Sequence, residues 1–213
     1  MGEFFVNFQI RSGDAQEVAA VAAGAVRGLA YISPEAGRWV SLYDRTAESQ
    51  DVYEIDRVAT EISGALGTIV LVFLVADTTM LVYYVFDSGG LIDEYHSTLP
   101  AFPDGPEIGE HPRFGGRPEV LIPLCRPGVL RVDIDSALEK SEISHDAGFG
   151  STVPATDRIL LLANALGIDV ARATIGYDGL HAMLRTLPDA AAYFQVDGRR
   201  QRRSGGRVPP KLK

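Results

Sequence analysis

Four residues near the middle of the chain offer the most chemistry for their spacing: Asp87, Asp93, Glu94 and His96, in the stretch D-S-G-G-L-I-D-E-Y-H. Residues two apart on a strand share a face, so Glu94 and His96 project together. A carboxylate beside an imidazole could begin a metal site or an acid/base pair. His111 and His145 could join them from the segments on either side of the next helices. The same residue types also suit an exposed edge strand, where charges discourage pairing with other chains. Gly148-Phe149-Gly150-Ser151-Thr152 has the look of a phosphate-cradling turn but lacks the lysine and the full glycine fingerprint, so it reads as a linker. Cys125 falls on an apolar helix face, where a buried structural thiol is expected. No G-x-S-x-G, H-E-x-x-H or C-x-x-C occurs, and no metal or cofactor is expected.

A second set of residues is brought together by strand alternation. Phe4, Val6, Phe8 and Ile10 face one way and Phe5, Asn7, Gln9 and Arg11 the other. Around the third strand, Val40 and Leu42 oppose Trp39, Ser41 and Tyr43. Asn7, Arg11, Trp39 and Tyr43 then form an aromatic and polar face, similar in placement to the base-stacking face of RNA-recognition domains. The signature sequence of those domains is absent, and the acidic body opposes phosphate. Covering by later helices explains the aromatics as well, and a protein partner or small ligand is the third reading. Arg113 and Arg117, in the Pro/Gly-rich stretch, are further candidates for ligand or partner contact.

The elements that must position these residues are legible from punctuation and period. Ile69 to Ala76 and Met80 to Phe86 are two apolar, largely β-branched or aromatic runs separated by Asp77-Thr78-Thr79. That is a hairpin buried on both faces and not a membrane span, because Asp77 would sit near mid-bilayer. Leu91 to Ser97 alternates and reads as an edge strand. Two helices share the same grammar. Asp14 with Glu17, and Asp51 with Glu54, provide caps; apolar stripes follow, and Gly28 and Gly67 provide stops. The order strand, helix, strand, strand, helix, strand is the ferredoxin-like βαββαβ motif, here extended by a meander into an antiparallel sheet of about six strands. The expected organisation is an α+β sheet domain over 1–99, a Pro/Gly-rich loop over 100–118, a helical extension packed on the sheet over 119–197, and a disordered basic tail over 198–213.

Composition narrows the classes. A net charge of −8 hides a split: residues 198–213 hold seven of the 20 basic residues and no acid, leaving 13 basic against 28 acidic in the body. Arg199, Arg200, Arg202 and Arg203 are therefore the candidates for weak contact with nucleic acid or an acidic partner, against the alternative of a solvated terminus. A single cysteine, no apolar leader and no membrane span point to a cytoplasmic protein. The segments W-V-S-L-Y-D, F-D-S-G-G-L-I-D-E-Y-H-S, F-G-G-R-P-E-V-L-I-P-L-C and L-L-A-N-A-L-G-I, spread over residues 39–177, resemble a family of uncharacterised bacterial proteins. The resemblance implies a shared fold and no chemistry. With no assembled catalytic motif, the leading expectation is a non-enzymatic α/β binding or interaction module for a protein partner or small ligand. The alternatives are a metal-assisted or acid/base hydrolase using Asp93, Glu94 and His96 with His111, and nucleic-acid contact through the tail.

Overall fold

The computed structural model describes residues 4–97, 115–139 and 153–199. Its centre is one antiparallel sheet of seven strands in the order β6-β5-β4-β1-β3-β2-β7. The strands are β1 Phe5–Arg11, β2 Leu29–Ile32, β3 Trp39–Asp44, β4 Ile69–Ala76, β5 Met80–Asp87, β6 Gly90–His96 and β7 Phe194–Asp197. Strand β1 lies between β3 and β4, with Phe8 opposite Leu42 on one side and Val72 on the other. Their side chains therefore line up on a single face. The hairpin expected over Ile69–Phe86 forms with Ala76 paired to Met80, and Asp77 and Thr78 turn the chain at positive φ.

Helices α1 (Ala15–Ala25) and α2 (Val52–Leu66) cover that face. Val6, Phe8, Ile10, Val40 and Leu42 pack under Val18, Ala22, Ile55, Val58 and Ile62, as the two stripes require. Each such apolar side chain buried contributes roughly 1.5–3 kcal/mol. The Asp14 carboxylate accepts from the N–H groups of Gln16 and Glu17, and Asp51 accepts from that of Tyr53. Each cap is worth about 1 kcal/mol. Gly67 ends α2 at φ 59°, where a side chain would be strained. Gly28 does not end α1. The helix stops at Ala25 with Val26 already extended, and Gly28 instead lets the backbone pass close to Thr46, whose Oγ1 a Cβ would meet at 3.0 Å. Glu54, expected as a cap partner, is buried and accepts from Arg57, with Arg27 also on its carboxylate at 3.0 Å.

The other face of the sheet is covered by C-terminal helices: α3 (Pro118–Leu121), α4 (Arg131–Ala137), α5 (Ala155–Leu166), α6 (Val170–Ala173) and α7 (Tyr177–Met183). Phe5, Trp39, Phe73, Tyr83 and Val85 pack there against Leu121, Ile134, Ile159, Leu162 and Leu166. The result is three layers with the hairpin buried on both sides. The sheet is one strand larger than expected because the C-terminal segment is not wholly helical. Phe194–Asp197 returns to pair with β2, and the Gly198 N–H donates to the Gly28 carbonyl at 3.0 Å. Four residues are too few to show a period of two. Among the described residues no helix is long and apolar enough to cross a membrane.

One buried charge stands out in this scaffold. Asp44, at the end of β3, is 0% exposed. Its Oδ1 accepts from the Thr46 N–H at 3.0 Å, while Oδ2 has no hydrogen-bond partner among the described residues. Burial above all, with Glu54 adding to it against the help of the Thr46 hydrogen bond and Arg57, pushes its carboxyl up to about 6.

Candidate functional site

Strand β6 separates the residues that its sequence placed side by side. Asp93 lies opposite Val85 and Tyr95 opposite Tyr83, on the face covered by the C-terminal helices; Glu94 lies opposite Tyr84 and His96 opposite Val82, on the face of α1 and α2. Asp93 is buried and accepts from the Tyr83 hydroxyl at 2.8 Å, the Arg117 N–H at 3.0 Å and the Arg117 Nε at 3.3 Å. Burial and that carboxylate push the Tyr83 phenol well above its ordinary range. Arg117 also donates to the Ile92 carbonyl, and the Gly116 N–H donates to the Glu94 carbonyl at 3.0 Å. The segment 115–117 therefore occupies the outer edge of β6. Asp93 does not converge with Glu94 and His96, and Arg117 serves the edge of the sheet. His111, His145 and Arg113 lie outside the described residues.

Glu94 and His96 do meet, with Oε1 and Nε2 2.8 Å apart. The His96 ring stands edge-on to Tyr84 with centroids 6.4 Å apart. Beside them a groove of about 250 Å³ opens between the first turns of α2 and the β5–β6 edge, lined by Val52, Tyr53, Ile55, Asp56, Tyr84, Phe86, Leu91 and Glu94. A bulge builds part of it. The pairing of β5 with β6 slips between Val85 and Phe86, so Leu91 falls opposite Phe86 while Glu94 falls opposite Tyr84. Without the slip, strict alternation would send Leu91 to the face of Asp93. Tyr53 is 88% exposed, and Val52 and Leu91 are also exposed. These three form an apolar rim beside the carboxylates of Asp56 and Glu94. Tyr84 is pushed up to about 12, first by burial and then by the carboxylates of Glu94 and Asp56. Two acids thus act on one phenol at the groove, and its described lining carries no lysine or arginine.

Asn7, Trp39 and Tyr43 prove to be structural anchors under the C-terminal helices. The Asn7 Nδ2 donates to the carbonyls of Ala173 at 2.8 Å and Ile175 at 2.9 Å. The Trp39 Nε1 donates to the Leu166 carbonyl at 2.9 Å, and the Tyr43 hydroxyl to that of Arg172 at 3.0 Å. Gln9 and Ser41 complete the set, Gln9 donating to Asn7 and Ser41 to Gln9, each at 2.8 Å. The physical reason is that the ends of α5 and α6 leave carbonyls without intrahelical donors, and burial makes each one costly unless it is met. These three side chains are covered, so the face drawn from them is no surface. Arg11 lies at the margin of this set, partly exposed and paired in register with Trp39.

Other residues fall as follows. Arg199 is exposed, its N–H donating to Asp197 at 3.0 Å; Arg200, Arg202 and Arg203 lie outside the described residues. Cys125 is half-buried, its thiol bonded to the Leu121 carbonyl at 3.3 Å and pushed up by burial and by Asp133. A cluster not expected from the sequence joins Tyr31, Tyr177 and His181. Tyr31 and Tyr177 stack with centroids 5.2 Å apart, and the Tyr31 hydroxyl meets His181 Nδ1 at 2.8 Å. Next to it Glu48 accepts from the Tyr177 N–H, and burial raises its carboxyl to about 7. Among the described residues no three histidines, cysteines or acids are grouped to hold a metal ion.

The groove residues Tyr53, Asp56 and Leu91 were missed for an identifiable reason. They flank the apolar stripe of α2 or sit beside a bulge, and only the packing of α2 on β5 and β6 makes them neighbours. The one signal available was an exposed Val52-Tyr53 pair outside the stripe of Ile55, Val58 and Ile62. Comparison with known proteins returns no matching family model, no matching curated protein and no matching solved structure.

Proposed function

We propose that this chain is a non-enzymatic α/β binding module, ferredoxin-like in its β4-β1-β3-β2 core and its two helices on one face, and that the groove beside Glu94 is where it takes a small ligand. What carries this reading is the convergence on one cavity of about 250 Å³ of an exposed aromatic rim, an apolar floor and two carboxylates set against a phenol. That mixture of apolar lining with a few convergent polar groups is the usual make-up of a ligand pocket. A fragment screen on the full-length chain, read by amide chemical shifts, tests it. Hits are expected to move the amides of Val52–Asp56 and Leu91–Glu94 and to be lost in Leu91→Asp with the rest of the spectrum unchanged. Hits that cluster elsewhere, or that persist in that variant, would refute the assignment.

A second reading, acid/base hydrolysis, is favoured by the Glu94–His96 pair at 2.8 Å beside the same groove. It would have to work without Asp93, whose carboxylate lies on the opposite face and is engaged by Tyr83 and Arg117. Hydrolysis of model esters and phosphoesters that disappears in His96→Ala, with binding intact, would replace the first reading by this one.

A further inference from the structure

Resting on the groove as the binding site, we propose that its ligand is a flat, uncharged aromatic molecule that carries one hydroxyl or N–H donor. The two walls decide the shape. One is the start of α2 and the other the β5–β6 edge, and both contribute rings, Tyr53 from the helix and Tyr84 with Phe86 from the strand. Tyr84 and Phe86 are two apart on β5, so they share the face that α2 covers. Tyr53 stands at the mouth with most of its surface uncovered, outside the stripe of Ile55, Val58 and Ile62 that holds the helix down, so packing of the scaffold does not account for it. A ring slid between these walls gains stacked and edge-on contacts that a saturated molecule of the same size cannot make. A volume of about 250 Å³ is the room of roughly eight waters, enough for one or two fused rings.

The polar groups decide the head. Glu94 is held by His96 at 2.8 Å, so it sets no charge for a ligand. That leaves Asp56 as the exposed carboxylate of the lining, and among the described residues its oxygens accept no hydrogen bond. One surface carboxylate is too well screened by water to select an ion, but it is a strong acceptor for an O–H or N–H. Donors are scarcer. The lining holds no lysine, arginine, asparagine or glutamine, and the Tyr53 and Ile55 N–H groups are both taken by Asp51. A ligand that only accepts finds little beyond the tyrosine hydroxyls, whereas one that donates finds Asp56.

The experiment is an amide-shift titration of the full-length protein with 2-naphthol, and with three matches: 2-methoxynaphthalene without the donor, decahydro-2-naphthol without the rings, and 2-naphthylmethylamine with a charge. 2-Naphthol is expected to give saturable shifts at Val52–Asp56 and Leu91–Glu94. Its affinity should exceed that of decahydro-2-naphthol by about fivefold, the factor expected of ring contacts beyond buried area. It should exceed that of 2-methoxynaphthalene by about as much, the factor expected of one partly exposed hydrogen bond to a charged acceptor. In Asp56→Ala the advantage over the methoxy compound should vanish while the advantage over the saturated one stays. Asp56 is exposed on a helix, so alanine leaves the packing unchanged, and an unaltered spectrum elsewhere verifies this. If the saturated alcohol binds there as tightly as 2-naphthol, the aromatic class is overturned while the groove stands as a site. If Asp56→Ala leaves the preference for the hydroxyl intact, the donor assignment is overturned, and an amine that binds more tightly than 2-naphthol would overturn the uncharged head. If no probe moves these amides, both the ligand class and the site are overturned.

Discussion

Asp44 makes the fold pH-sensitive in a direction that one conservative substitution reveals. Its carboxyl is 0% exposed, one oxygen has no hydrogen-bond partner among the described residues, and its pKa stands at about 6 against an ordinary 3.8. Because the folded value is the higher, the folded state holds this proton more tightly than the unfolded chain does. The stabilisation is fully present below about pH 4, declines as the pH rises through about 6, and is gone by about pH 8. The difference between the two values corresponds to about 3 kcal/mol. Asp44→Asn keeps an oxygen for the Thr46 N–H and has no proton to lose, so the variant should lack this decline. Urea unfolding of both proteins at several pH values between about 4.5 and 7.5 measures it. Relative to the variant, the wild type should lose most of that 3 kcal/mol over the range, a midpoint change on the order of 1 M urea for a slope of about 2–3 kcal/mol per M. Other titrating groups contribute equally to both proteins and cancel in the difference. Unfolding midpoints that move in parallel with pH would refute the reasoning, as would a carbon-13 titration placing the Asp44 midpoint near 4.

Three further outcomes are expected. Asn7→Ala leaves the Ala173 and Ile175 carbonyls and the Gln9 amide without their partner, and should cost about 1–3 kcal/mol in urea unfolding; a change below about 0.5 kcal/mol would show that this anchor is dispensable. Glu48, raised to about 7 chiefly by burial, favours the folded state at low pH and loses that contribution as pH rises through about 7, so thermal melts of Glu48→Gln should fall less than those of the wild type between pH 6 and about 8.5. Any salt-sensitive retention of nucleic acid in a gel shift should depend on residues 198–213, and retention that survives their deletion would exclude the tail as the anchor.

Most of the scaffold was legible because its signals are local. Asp14, Asp51 and Gly67 sit within a residue or two of the helix ends they mark, and the apolar stripes of α1 and α2 select the face holding Val6, Phe8, Val40 and Leu42. Alternation likewise put Glu94 and His96 on one side and Trp39 with Tyr43 on another. What alternation leaves open is who covers a face, since Asn7 and Trp39 have the same residue types whether they meet solvent or the carbonyls of Ala173 and Leu166. Glu54 shows the same limit at a helix start: its position fits a cap, and only the placement of Arg27 and Arg57 makes it the centre of a buried ion pair. The groove was the least legible part, because a one-residue slip in β6 brings Leu91 to it and the meeting of α2 with β5 gives it walls.

The clasp between Asn7 and Ala173 spans 166 positions, and β7 reaches its place beside β2 only when residue 197 has been made. As the chain is synthesised, α1, α2 and the first six strands can assemble, but Phe73, Tyr83 and Val85 stay wet on the far side until α5 arrives. A ribosome-bound chain stalled near residue 150 would therefore present an apolar sheet face to its surroundings, which is the kind of surface that recruits chaperones or aggregates. The last quarter of the protein acts as a lid that its own first strand fastens.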